Sequence, residues 1–144
     1  MAAAVKINRL TSEQAAYLAS LIDGEGTIAL TRMHLGENRR LVVSISNNDV
    51  SLLKFVKAHV GAGKITTKKT YSERHACSFA YQISSRQALD LLHQIYPYLK
   101  TYKAERAKLA LNDYLRLTPR NGRYSPGDSV SRREFELRLL AIKG

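Results

Sequence analysis

Apolar residues recur along this chain with two periods, one helical and one alternating. From Thr11 the pattern predicts a helix over residues 11–22, opened by a capping box in which Thr11 caps the free amides and Gln14 reaches back. Leu18, Leu21 and Ile22 lie on one side of it, and Ala15, Ala16 and Ala19 are spread around the other, as in a helix buried between two neighbours. Ala16, Ser20 and Gly24 recur every four residues and form a stripe of small side chains along which another backbone can approach closely.

The helix is expected to give way at Asp23-Gly24-Glu25-Gly26. Residues 27–33 then alternate, with Ile28 and Leu30 on one face and Ala29, Thr31 and Met33 on the other. A turn over residues 35–38 and a return strand over 41–45 complete a hairpin. Asp49 can cap a second helix over Leu52, Leu53, Phe55 and Val56, which Gly61-Ala62-Gly63 ends. A second hairpin pairs residues 64–70 with 78–84 across a polar loop through Glu73, Arg74 and His75. A helix over 86–95 carries Leu89, Leu92 and Ile95 up to Pro97, and another over 102–117 offers Leu109, Leu111, Tyr114 and Leu115 for packing. Residues 118–129, with Pro119, Gly122, Pro126 and Gly127, read as a loop, and Ser131 with Glu134 opens a final helix.

Helix, hairpin, helix, hairpin, helix is an α+β order: an αββαββα core with a four-stranded, mainly antiparallel sheet, helices on one face and the other face open. One domain over residues 1–144 is expected, with a core of about 11–117 and an appended loop and helix over 118–144. That tail either packs on the core or adds flanking contacts through Arg120, Arg123, Arg132 and Arg133. On the open face belong Thr31, Arg40, Ser44, Lys64, Thr66, Lys68 and Gln82, a chemistry suited to phosphates and base edges. Alternate polar residues also arise simply from facing water.

Charge favours the first of these readings. Lys and Arg number 23 against 12 acidic residues, a net charge of +11, and residues 26–88 carry ten basic against three acidic side chains, +7 of that total. A polyanionic partner, nucleic acid first, is implied. With 144 residues, 44% of them hydrophobic, the chain can bury a real core. Cys77 is the only cysteine, which excludes an intrachain disulfide and a multi-thiolate zinc site and leaves it a small core residue. No apolar run reaches the ~18 to 20 residues of a membrane span, and the start lacks a secretory stretch, so a soluble, intracellular protein is expected. His34, His59, His75 and His93 lack zinc-helix spacing, and no Gly-rich phosphate loop is present.

The string Leu18-Ala19-Ser20-Leu21-Ile22-Asp23-Gly24-Glu25-Gly26 resembles the signature that names the LAGLIDADG homing endonucleases, with six of nine positions identical. Glu25 and Gly24 are common family alternatives at their positions, and Ser20, in place of Gly, is the departure. The resemblance implies site-specific cleavage of double-stranded DNA. Glu25 and the backbone oxygen of Gly24 would be ligands to divalent metal, usually Mg2+, with Mn2+ or Ca2+ able to occupy the same place. Asp23 is expected to be structural, near the helix end. Asn47 stands where the family often has a water-organising Gln. The family's lysine falls at Lys103 when counted from Ala107 and Leu109, or at Lys100 when counted from Pro97 and Leu99; its role would be to offset charge or position water.

One Glu per chain is too little to hold such a centre. A single motif therefore implies a homodimer in which Ala16, Ser20, Asp23 and Gly24 meet their twins and two copies of Glu25 converge at the dyad. Two sheets would cover ~16 to 20 base pairs of a near-palindromic site cut on both strands. The gene would be intron-borne or independent. An RNA-binding intron maturase and a catalytically inactive DNA-binding regulator on the same fold are the alternatives.

Overall fold

The computed structural model describes residues 6–32, 34, 38–68, 78–118 and 123–144, with the backbone alone of Lys68. Met33, the polar loop through Glu73, Arg74 and His75, Cys77, and Pro119, Arg120 and Gly122 lie outside the described residues.

Helix α1 is Ser12–Glu25. Its capping box is complete, with the Gln14 amide donating to Thr11 Oγ1 (3.1 Å) and the Thr11 amide to Gln14 Oε1 (2.9 Å). It runs through Asp23, Gly24 and Glu25, past the expected end at Ile22. The extra turn survives because its carbonyls find partners, from the Gly26 amide and from a distant lysine described below, so tertiary context overrides a weak local propensity.

Strands β1 (Gly26–Thr31) and β2 (Arg40–Asn47) pair antiparallel from Gly26↔Ile45 to Thr31↔Arg40. β2 extends beyond 41–45 at both ends, its last residues held by a second partner strand. Helix α2 (Val50–Val60) is capped by Asp49, which accepts from the Ser51 amide, and ends at Gly61, whose φ of 78° is the left-handed stop. Strands β3 (Lys64–Lys68) and β4 (Ser78–Ser84) follow, then α3 (Ser85–Ile95), a 3-10 turn at Tyr96–Tyr98, and α4 (Lys103–Asp113). The sheet order is β1-β2-β4-β3, with all neighbours antiparallel, so the α+β architecture is as expected.

Two expectations need correction. Helix α5 is Pro126–Ala141, capped by Ser125, and does not start at Ser131. Pro126 and Gly127, read as loop residues, form its first turn, where a missing N–H costs nothing. The buried side of α4 is Lys103, Arg106, Ala107 and Ala110; Tyr114 just beyond it is buried and Leu109 and Leu111 pack against the core as expected, while Leu115 is 50% exposed. On α2, Phe55 is 45% exposed and meets Tyr17 edge to face and the tilted ring of His59 at the surface.

The core lies between one sheet face and the helices. Ile28, Leu30, Leu41, Val43, Ile45, Tyr81 and Ile83 meet Leu18, Ile22, Leu53, Val56, Leu91, Leu92 and Phe135 there. α5 packs onto this body through Phe135 and Leu139. Arg132, offered above as a flanking contact, is buried, while Arg123 and Arg133 are exposed. No helix among the described residues is long and apolar enough to cross a membrane.

Candidate active site

The last turn of α1 carries the candidate chemistry, and a tight junction fixes where it ends. A Cβ on Gly26 would come within 2.6 Å of the Ile22 Cα and 2.9 Å of the Ser44 carbonyl oxygen, so only glycine lets the helix end sit this close to β2. Gly26 pairs with Ile45, and two residues further along β2 lies Asn47. Its Nδ2 donates to Glu25 Oε2 at 2.7 Å, and its Oδ1 accepts from the Asp49 amide at 2.8 Å. The amide thus anchors the Glu25 carboxylate to the start of α2. Glu25 is exposed and lines an open polar recess with Ser46, Asn47, Asn48 and Ser78. Among the described residues, Oε1 of Glu25 has no hydrogen-bond donor.

Asp23, two residues earlier, is fully engaged. Its carboxylate accepts from the Lys100 amide (2.8 Å), the Thr101 amide (3.1 Å) and the Thr101 hydroxyl (2.6 Å). Burial works to raise its pKa, but the Thr101 hydroxyl, the two amides and the Lys103 charge outweigh it and hold the carboxyl below its ordinary value of 3.8. A lowered pKa in the fold means that this carboxylate contributes stability above the unfolded pKa and that the contribution is lost as pH falls through the folded value. Asp23→Asn should therefore melt below the wild type at neutral pH, with the gap closing below pH ~4. Thermal melts from neutral to acid check this, and a gap that stays constant would show the network to be uncharged packing.

Lys103 is buried, and its Nζ donates to the carbonyls of Ile22 (2.8 Å) and Asp23 (2.9 Å). It caps the C-terminus of α1 from 81 residues away. The last turn of α1 has no basic residue of its own, so carbonyls and carboxylates concentrate negative potential at the negative end of the helix dipole. A cation supplied by α4 offsets part of this. Lys100 is exposed and gives the motif only its backbone amide. Thr101 is the residue that sequence reasoning missed; its position beside two candidate lysines was the only available signal.

Glu25, Gly24, Asn47 and Lys103 are thus brought together. The small-residue stripe runs down the outer side of the same helix: Ala16 is half-buried, Ser20 and Gly24 are exposed, and nothing lies within 4 Å of a Cβ placed on Gly24. Among the described residues, no three His, Cys, Asp or Glu cluster around a common point.

On the sheet face away from the core, the register aligns Thr27, Ser44, Gln82 and Lys64 in one row, Ser46, Ala80 and Thr66 in the next, and Thr31 with Arg40 at the far end. Thr31, Lys64 and Thr66 are exposed, and Arg40, Ser44 and Gln82 half-buried. Lys68 stands opposite Ser78 in the register. The six candidate contact residues other than Lys68 therefore share one face by strand alternation.

Solved structures have this architecture. The homing endonuclease I-CvuI, in complex with its target in the presence of Ca, superposes with a TM-score of 0.72 at 16% identity, over 91% of this chain and 82% of its own. The archaeal intron-encoded homing endonuclease I-Vdi141I, complexed with DNA, gives 0.60 at 14% identity, over 92% and 85%. The LAGLIDADG homing endonuclease I-GzeII, in complex with a DNA target, gives 0.68 at 16% identity, with 90% of this chain lying on 44% of that one, so the chain spans about half its length. No family model and no curated protein matches the sequence. At these identities the likeness is one of architecture, and the chain has the fold of the LAGLIDADG homing endonucleases.

Proposed function

We propose that this protein is a site-specific double-strand DNA endonuclease, acting as a homodimer with divalent metal, Mg2+ in the first instance. One observation carries the reading: of the two acids in the motif, Asp23 is spent on the 100–101 turn while Glu25 stands exposed with one oxygen to which no described residue donates, at the end of a helix on which Ser20 and Gly24 of the small-residue stripe are exposed. The DNA complexes of its structural neighbours support it, as do the calcium and magnesium present with I-CvuI.

The donor set suits a hard cation. An exposed carboxylate and the Gly24 carbonyl, which lies in the last turn with no following intrahelical amide, are both oxygen ligands of the type Mg2+ takes. A bound divalent ion would supply charge stabilisation at the scissile phosphate and lower the pKa of attacking water. The protein's own part is positional. Asn47 holds one Glu25 oxygen and leaves the other available, Asp23 ties the helix end to the turn before α4, and Lys103 moderates the negative potential there. Twin α1 helices packed along Ala16, Ser20 and Gly24 would bring a second Glu25 to the same place. The open face, with Thr31, Arg40, Ser44, Lys64, Thr66, Lys68 and Gln82, would lie on the DNA, positive charge giving affinity and the polar side chains giving sequence preference.

Selection of cut molecules from a randomised duplex library, with Mg2+ or with chelator, tests this. The expected result is a metal-dependent set of nearly palindromic sites cut on both strands. Recovery of no cut site, or of equal cutting in chelator, overturns the proposal.

A further inference from the structure

Strand β2 outruns its neighbour, and side chains from the C-terminal region fill the gap. β4 ends at Ser84, paired with Val42, so Leu41 and Arg40 continue with β1 as their only neighbouring strand among the described residues, and Arg39 lies just before the pairing begins. Backbone groups left unpaired at such an edge are costly when buried. Here the Arg39 amide donates to Glu136 Oε1 at 2.9 Å, its carbonyl accepts from Arg132 Nη2, and the Leu41 amide reaches the Tyr114 hydroxyl at 3.4 Å. The cluster is braced internally. Arg132 lies 3.8 Å from Glu136 Oε2, under the ring of Tyr114 (4.9 Å) and beside that of Phe135 (5.6 Å), and it also holds Leu117 O and Thr118 Oγ1.

These bonds grip the residues on either side of Arg40 and leave Arg40 itself on the open face, opposite Thr31. Its Nε is enclosed and, like the Nε of Arg132, has no hydrogen-bond partner among the described residues. Holding the backbone on both sides sets the direction in which the Arg40 side chain leaves β2, and the enclosure of its Nε limits the rotamers left to it.

We infer that Glu136, Arg132 and Tyr114 are positioning residues for Arg40: they hold the start of β2 so that sequence preference at one outer stretch of each half-site depends on α5. The inference rests on the DNA-binding reading above. On the duplex recovered by the library selection, binding would be measured for every single-base substitution across the site, with thermal stability alongside. Arg40→Ala should relax preference by about tenfold at a few outer base pairs. Tyr114→Phe, which removes one hydroxyl from a ring that stays packed, and Glu136→Gln should each relax the same base pairs several-fold while central preference is unchanged. Neither should add to Arg40→Ala when combined with it, because a positioning effect needs the side chain that is positioned. Uniform weakening at all positions, or effects that add fully to Arg40→Ala, would reduce the cluster to packing and overturn the inference with DNA binding intact. A wild type without base preference anywhere would instead overturn the proposed function, and this role with it.

Discussion

Glu25→Gln should lose double-strand cleavage by at least about a hundredfold, while the variant binds its site as tightly as the wild type. The substitution keeps the shape of the side chain and an oxygen that can accept from Asn47, so the 2.7 Å contact and the recess have no reason to change. What it removes is the formal charge of an exposed carboxylate that no cation in the chain neutralises by an ion pair among the described residues. Binding to phosphates should hold or tighten slightly, since two negative charges leave the dyad. Cleavage on the selected duplex with binding measured in parallel checks this, and equal cutting by the variant would remove Glu25 from the chemistry.

The second large effect is expected at Ser20. Within one chain this residue is exposed, and leucine is at least as good a helix former as serine, so Ser20→Leu should fold with unchanged stability. Between chains it should behave quite differently. An inserted side chain costs about 1–3 kcal/mol in a packed interface. At a two-fold interface it enters twice, so association should weaken by roughly thirtyfold or more. Cutting of both strands should fall with it, while the separated chain keeps its fold by circular dichroism. A variant that keeps its fold and still cuts would mean that the outer side of α1 has no twin.

The motif was readable because it is contiguous: nine neighbouring residues carry the acids, the glycine that must approach β2, and two of the three stripe residues. Strand alternation was equally readable, because one slip in register would exchange Val43 and Ile45 with Ser44 and Ser46 between core and open face. The failures have a common cause in partners distant along the chain. α1 was expected to stop at Ile22 because Asp-Gly-Glu-Gly is a poor helix former, and its final turn is held by Lys103, 81 residues on. Arg106 and Arg132 were invisible as buried groups because cations are rarely buried unless carbonyls from other segments surround them. Leu115 misled in the opposite sense, since an apolar side chain does not by itself say which side of a helix will face the sheet. Pro126 was read as a loop residue although the first position of a helix suits it equally well.

For the proposed cleavage of both strands, two copies of α1 must meet so that two Glu25 carboxylates share one centre. The mass of the wild-type protein on its selected duplex, by sedimentation or native mass spectrometry, tests this most directly. Two chains of 16.2 kDa per duplex are predicted, falling to one for Ser20→Leu. A single wild-type chain that saturates the duplex and still cuts both strands would contradict it.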